Sequence, residues 1–143
     1  MSQNTAPTIN GVHHLSFTVA DLDSSLGWYQ KLFGADRVDH KFVHLGAEDT
    51  GYGILLVTPV SGVVIGLHTN TANKGEKFDE ARTGLDHVSF QVSAREDLET
   101  WAAWLDELGI AHTGIRDETE PFAYSTLVFR DPDDIQLEFV AVG

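Results

Sequence analysis

The 143-residue chain has no cysteine, one methionine and four prolines, and only nine Lys and Arg against 22 Asp and Glu. The missing cysteine excludes disulfide frameworks, thiolate metal sites and cysteine nucleophiles. The shortage of cations leaves a formal net charge of −13 with histidine neutral. The few basic residues (Lys31, Arg37, Lys41, Lys74, Lys77, Arg82, Arg95, Arg116 and Arg130) are scattered along the chain. A chain so charged repels phosphate backbones and anionic headgroups, so neither nucleic acid nor membrane is expected as a partner. No apolar run approaches the ~18 residues that cross a bilayer. The opening Met1–Asn10 is polar and does not read as a secretory leader, so the expected location is the cytoplasm. Hydrophobic residues at 42% and charged residues at 22% are ordinary for a folded domain. The length argues for a single domain over residues 1–143.

What the chain does have is a repeat. A shift of 73 residues lays His14 on His87, Ser16 on Ser89, Phe17 on Phe90 and Val19 on Val92. The same shift lays Trp28 on Trp101, Leu32 on Leu105 and Pro59 on Pro132. Coincidence at one offset over so many positions indicates two copies of one unit. The copies span residues 11–70 and 85–141, with 71–84 between them as a linker or a lid.

Each copy reads as a strand, a helix and three further strands. In the opening stretch, Leu15, Phe17 and Val19 alternate with His14, Ser16 and Thr18, the period of a half-buried strand. A helix follows with apolar residues at Leu22, Leu26, Tyr29, Leu32 and Phe33, ended by Gly34. Its counterpart carries Leu98, Trp101, Ala102, Leu105 and Leu108, ended by Gly109, with Ser93 and Glu96 as a capping box. The remaining strands are expected near 38–45, 53–57 and 63–69, and near 111–115, 123–130 and 135–140. Hairpin turns are expected at Thr58-Pro59 and at Asp131-Pro132-Asp133-Asp134. The fold class is therefore α+β, two tandem βαβββ modules.

Parity then sorts the polar side chains. His14 and His87 share the outer face of the two opening strands with Ser16 and Thr18, and with Ser89 and Gln91. In the closing strands Ile65 and Leu67, and Leu137 and Phe139, point to the core, which leaves His68 and Glu138 outside. Two related units curved about a common centre would converge His14, His68, His87 and Glu138. Imidazole nitrogen with carboxylate oxygen suits a divalent transition metal, Ni, Co, Zn, Fe or Mn, and not Mg or Ca. No organic cofactor is called for. Around such a centre Ser16, Thr18, Ser89, Gln91, Phe122 and Tyr124 are candidate substrate-binding residues, with support of the metal ligands or simple packing as their alternatives. His13, His40, His44 and His112 read as surface or capping histidines, and Trp28, Trp101 and Trp104 as core or interface.

At these residues the chain resembles the vicinal oxygen chelate superfamily of glyoxalase I, extradiol dioxygenases, methylmalonyl-CoA epimerase and the fosfomycin- and bleomycin-resistance proteins. The resemblance lies in His14–Leu22, Trp28-Tyr29, Phe33-Gly34, Ile65–His68, Leu85–Phe90 and Asp131–Glu138, nearly the whole chain. It implies curved mixed sheets around a metal cleft. It also implies ligands at His14, His87 and Glu138 with His68 at the fourth position, and a homodimer that in some members shares each site between chains. Two departures stand out. Asp134-Ile135 replaces the family's Gly-Asn after Asp-Pro-Asp, and His68 stands where glyoxalase I carries Glu and the epimerase Gln.

The chemistry expected is that of a glyoxalase-like lyase or isomerase acting on a small oxygenated substrate through a metal-stabilised enediolate. Glu138 is the candidate base, its alternative being a purely structural ligand. An Fe(II) extradiol-type dioxygenase built on His14, His87 and Glu138 is the second expectation. A drug- or metabolite-binding resistance protein is the third. Fosfomycin-type thiol transfer ranks low in sequence, because no basic pocket for a phosphonate is visible.

Overall fold

The computed structural model describes residues 5–143; Met1–Asn4, the start of the polar opening segment, lie outside the described residues. Each of the two copies folds into its own mixed sheet with one helix. The first comprises β1 (Leu15–Thr18), α1 (Leu22–Phe33), β2 (Asp36–Arg37), β3 (Phe42–Val43), a 3-10 turn (Glu48–Thr50), β4 (Tyr52–Val57) and β5 (Val64–His68). The second comprises β6 (Val88–Gln91), α2 (Arg95–Glu107), β7 (His112–Glu118), β8 (Tyr124–Arg130) and β9 (Gln136–Val142). The strand orders are β1-β5-β4-β2, with β3 also on β4, and β6-β9-β8-β7. In both sheets the opening strand lies parallel to the closing one, Ser16 beside Gly66 and Ser89 beside Glu138, and the rest are antiparallel hairpins.

The helix boundaries follow local chemistry. Asp21 caps α1 by accepting from the Ser24 N–H at 3.1 Å. Gly34, at φ +62°, ends it in the left-handed conformation that a side chain disfavours. At the start of α2 the expected Ser93–Glu96 box is displaced by one residue. The N-cap is Ala94, whose N–H donates to the Asp97 carboxylate at 2.9 Å. Alanine supplies no oxygen in return, so only half of the reciprocal box forms.

The strand expected over 38–45 is also corrected. Between the pairs Arg37–Leu56 and Phe42–Gly53 the first strand advances five residues while β4 advances three. The two-residue excess lifts the chain off the sheet edge and splits one strand into β2 and β3.

The two modules share one core. Phe33 of α1 lies 5.0 Å from Phe90 and 6.2 Å from Phe139, ring centre to ring centre, both in the second sheet. Trp101 of α2 stacks on Phe139 at 4.2 Å, and Trp104 Nε1 donates to the Leu32 carbonyl at 2.9 Å. The three tryptophans are thus partly buried at the seam between modules. The Asp131–Asp134 turn fastens the seam from the other side. Buried Asp131 accepts from the Tyr29 hydroxyl at 2.7 Å and from the N–H groups of Asp133 and Ile135, while Asp133 accepts from Ala20 N–H. Burial raises the Asp131 pKa against the pull of those donors. Burial, followed by the Asp131 charge, raises that of Tyr29 well above the ordinary phenol. No helix among the described residues is long and apolar enough to cross a membrane.

Candidate metal centre

With both helices on the core face of the sheets, the opposite faces carry the polar residues sorted by parity. On the second sheet His87 and Glu138 come together, Nε2 to Oε1 at 3.9 Å. Each is held from behind. Asp86 Oδ1 lies 2.8 Å from His87 Nδ1, and a proton there leaves Nε2 as a lone pair turned toward Glu138. Ser89 donates to Glu138 Oε1 at 2.7 Å, and Gln136 Nε2 donates to Asp86. A nitrogen and a carboxylate oxygen 3.9 Å apart can both reach one ion at the ~2.1 Å of a metal bond. The donor set and the carboxylate behind the imidazole fit a divalent transition metal.

The first sheet carries a second pair. His68 lies on the outer face, where glycine makes room for it: a side chain on Gly53 would overlap its ring, and one on Gly66 would meet Ser16 Oγ and lie 3.4 Å from His68 Nε2. Desolvation first, then the charges of His44 and His14, hold the His68 pKa below the ordinary imidazole value. His14 Nδ1 is 2.8 Å from His13 Nδ1. His44, read from sequence as a surface or capping residue, lies against His68 instead, Nε2 to Nδ1 at 3.0 Å. Nothing in the sequence pairs these two, since they are 24 positions apart, His44 just beyond β3 and His68 at the end of β5.

The two pairs do not merge within one chain. Among the described residues no group of three or more His, Asp or Glu side chains is arranged to hold a metal ion. The reason is the relative direction of the opening strands. Val12–Leu15 face Val88–Val92 across a cavity of about 670 Å³. Ser16–Thr18 face Leu85, His87 and Val88 across one of about 300 Å³. β1 and β6 therefore lie side by side in opposite senses, which puts the repeated histidines at opposite ends, on the order of 13 Å apart along the strands.

The other candidates are distributed accordingly. Ser16 belongs with His68, Ser89 with Glu138, and Gln91 lines the larger cavity beside His14. Thr18 lies beside His87 in the smaller one. Phe122 and Tyr124 pack on each other, ring centres 5.6 Å apart, with Phe122 largely exposed. His112 is held by Asp106 at 2.7 Å and accepts from Gly114 N–H. The linker runs past the cavity walls, Phe78 N–H donating to the Asp133 carbonyl.

Arg116 and Arg130, apart in sequence, are brought by adjacent strands to one cavity of about 660 Å³ that also borders Val128, the cross-strand partner of Glu138. Folding thus brings two arginines to one cavity, but Asp131 and Asp134 line it too and Arg130 is paired with Glu80, so the cavity carries no basic excess.

Comparison with known proteins agrees with this architecture. The family model for the Glyoxalase/Bleomycin resistance protein/Dioxygenase superfamily matches residues 11–139. The chain is 29% identical to the metallothiol transferase FosB of Bacillus licheniformis, over 91% of this chain and 74% of that one. It is 25% identical to the putative ring-cleaving dioxygenase MhqA of Bacillus subtilis, over 93% of this chain but only 40% of that longer protein. Among solved structures, a glyoxylase/bleomycin resistance protein/dioxygenase domain from Frankia sp. EAN1pec superposes with a TM-score of 0.79 at 34% identity, covering 95% and 94% of the two chains. The fosfomycin resistance protein FosX of Listeria monocytogenes, complexed with Mn(II) and sulfate, shares the fold at TM-score 0.62 and 17% identity, covering 95% of each chain.

Proposed function

Because the chain belongs to the Glyoxalase/Bleomycin resistance protein/Dioxygenase superfamily, we propose that it is a metal-dependent enzyme whose centre is divided between two copies. His14 and His68 of one copy would meet His87 and Glu138 of the other. The observation that supports this is the His87–Glu138 pair, held by Asp86 and Ser89, which finds no third ligand within its own chain among the described residues. A two-fold dimer makes two such centres at once.

The reaction proposed is an isomerisation or lyase step on a small oxygenated substrate of the glyoxalase type. When bound, the metal supplies Lewis-acid polarisation of the substrate oxygens. Glu138 removes the proton from the carbon beside the polarised carbonyl. Ser89, donating to Oε1, holds that carboxylate in place and leaves Oε2 to take the proton. Asp86 keeps the His87 lone pair aimed at the ion.

A second reading is transfer of a thiol to an electrophilic carbon of an anionic substrate. It is supported by the likeness to the metallothiol transferase, with Arg116 the cation in the cavity beside β8 that is free of an ion pair among the described residues. Ring cleavage has only the 25% likeness to the putative ring-cleaving dioxygenase in its favour.

Complementation tests the division. His14→Ala and Glu138→Ala chains each lose Mn(II) binding alone. Unfolded and refolded together in equal amounts, they recover about a quarter of the wild-type sites, since half the dimers are mixed and each mixed dimer holds one intact centre. No recovery would show that the centre lies within one chain. Incubation of the loaded enzyme with hemithioacetals of 2-oxoaldehydes, and separately with an epoxide and a thiol, distinguishes the two reaction classes by NMR of the products.

A further inference from the structure

A run of four hydrogen-bonding groups in the first module decides where one proton sits. The Thr50 hydroxyl lies 2.6 Å from the Ala47 carbonyl oxygen, which can only accept. Without a hydrogen between them, two oxygens at that distance repel, so the single hydroxyl hydrogen is committed there. Thr50 Oγ1 is also 2.7 Å from His44 Nδ1 and must accept from it. His44 therefore carries its proton on Nδ1, and the Nε2 of the neutral ring is a lone pair. That lone pair faces His68 Nδ1 at 3.0 Å. His68 accordingly donates from Nδ1, and its own Nε2 is left unprotonated on the outer face, near Ser16 Oγ and above Gly66.

We propose that His44 is a positioning residue, fixing through Ala47 and Thr50 the tautomer in which His68 offers Nε2 to a divalent cation. This rests on the divided centre proposed above and assigns His68 as a fourth ligand of it. The parallel with the other half-site is direct: Asp86 does for His87 what His44 does for His68, although an imidazole replaces the carboxylate. The proline-free stretch Lys41–Thr50, with the 3-10 turn at its end, has no counterpart hydrogen-bonded to His87, so the relay belongs to the first copy alone.

Long-range proton–nitrogen NMR of the metal-free, full-length protein labelled in histidine reads the tautomer directly, at a pH where the imidazoles are neutral. The His68 signals are assigned by their loss in His68→Gln. The expected result is the Nδ1–H form for His68; an Nε2–H form overturns the proposal. In His44→Phe the ring is expected to lose its single tautomer. His44→Gln, whose amide can donate to Thr50 and accept from His68, is expected to restore it. Calorimetric titration with Mn(II) supplies the second readout: a ~10–100-fold weaker affinity in His44→Phe, recovered in His44→Gln. Equal affinity in wild type and His44→Phe overturns the positioning role. An Nδ1–H His68 in a wild-type chain that binds no Mn(II) overturns the divided metal centre instead, so the two readings fail separately.

Discussion

Val60 sits at the tip of the β4–β5 hairpin with φ +65° and its side chain wholly in solvent. Thr58 accepts there from Gly62 N–H and Pro59 from Ser61 N–H, which leaves Val60 no other conformation. A branched side chain in the left-handed region is strained by ~1–2 kcal/mol and here has no packing to offset it. Val60→Gly is expected to raise stability by up to about 1 kcal/mol, since glycine adopts positive φ without a side-chain clash, seen as a higher urea midpoint at unchanged slope. Asp134 occupies the same region, φ +66°, in the corresponding hairpin of the second module. There the short polar side chain tolerates what glycine would do, which explains how the departure from the family's Asp-Pro-Asp-Gly leaves the turn intact. At this scale the sequence reveals much. Alternation alone puts His14, His68, His87 and Glu138 on outer faces; His68 lies there over Gly53 and Gly66, and His87 and Glu138 lie together beside Ser89. His44 is invisible in the same reading, because it lies beyond β3, outside any strand whose alternation could place it, and its partner His68 is 24 positions away.

Among the elements, the strongest tie across the seam is the one between α1 and the Asp131–Asp134 turn. Tyr29 is fully buried, and its hydroxyl is one of three donors to the Asp131 carboxyl. Tyr29→Phe keeps the ring and removes the donor, and the carboxyl retains its two backbone partners. The expected cost is ~1–3 kcal/mol by chemical denaturation, with the secondary structure unchanged by circular dichroism. A periodicity reading finds α1, α2 and the seven longer strands because each has one apolar face. It does not find β2 and β3, two-residue strands too short to alternate, one lying before and one inside the 38–45 stretch, whose split arises from a register excess against β4. Nor does it find the direction of β1 relative to β6. Parity states which face a histidine occupies but not which end of a neighbouring strand it meets, and that is why convergence within one chain is expected and His68 and the His87–Glu138 pair are found apart.

For the molecule as a whole, charge and assembly are opposed. Two copies, each with a formal net charge of −13, repel one another, and the repulsion is screened within about 10 Å at 0.1 M salt. The proposed dimer should therefore tighten, and not weaken, as salt is raised from 10 mM to 300 mM, measured as the dissociation constant by sedimentation. An association held chiefly by ion pairs would show the opposite trend. The seam also bears on the two units taken singly. Phe33 and Trp28 belong to the first copy by sequence, yet they face Phe90, Phe139 and Phe129 of the second. Cut from the chain, either unit would lay these aromatic rings bare to water, so neither is expected to stay monomeric on its own.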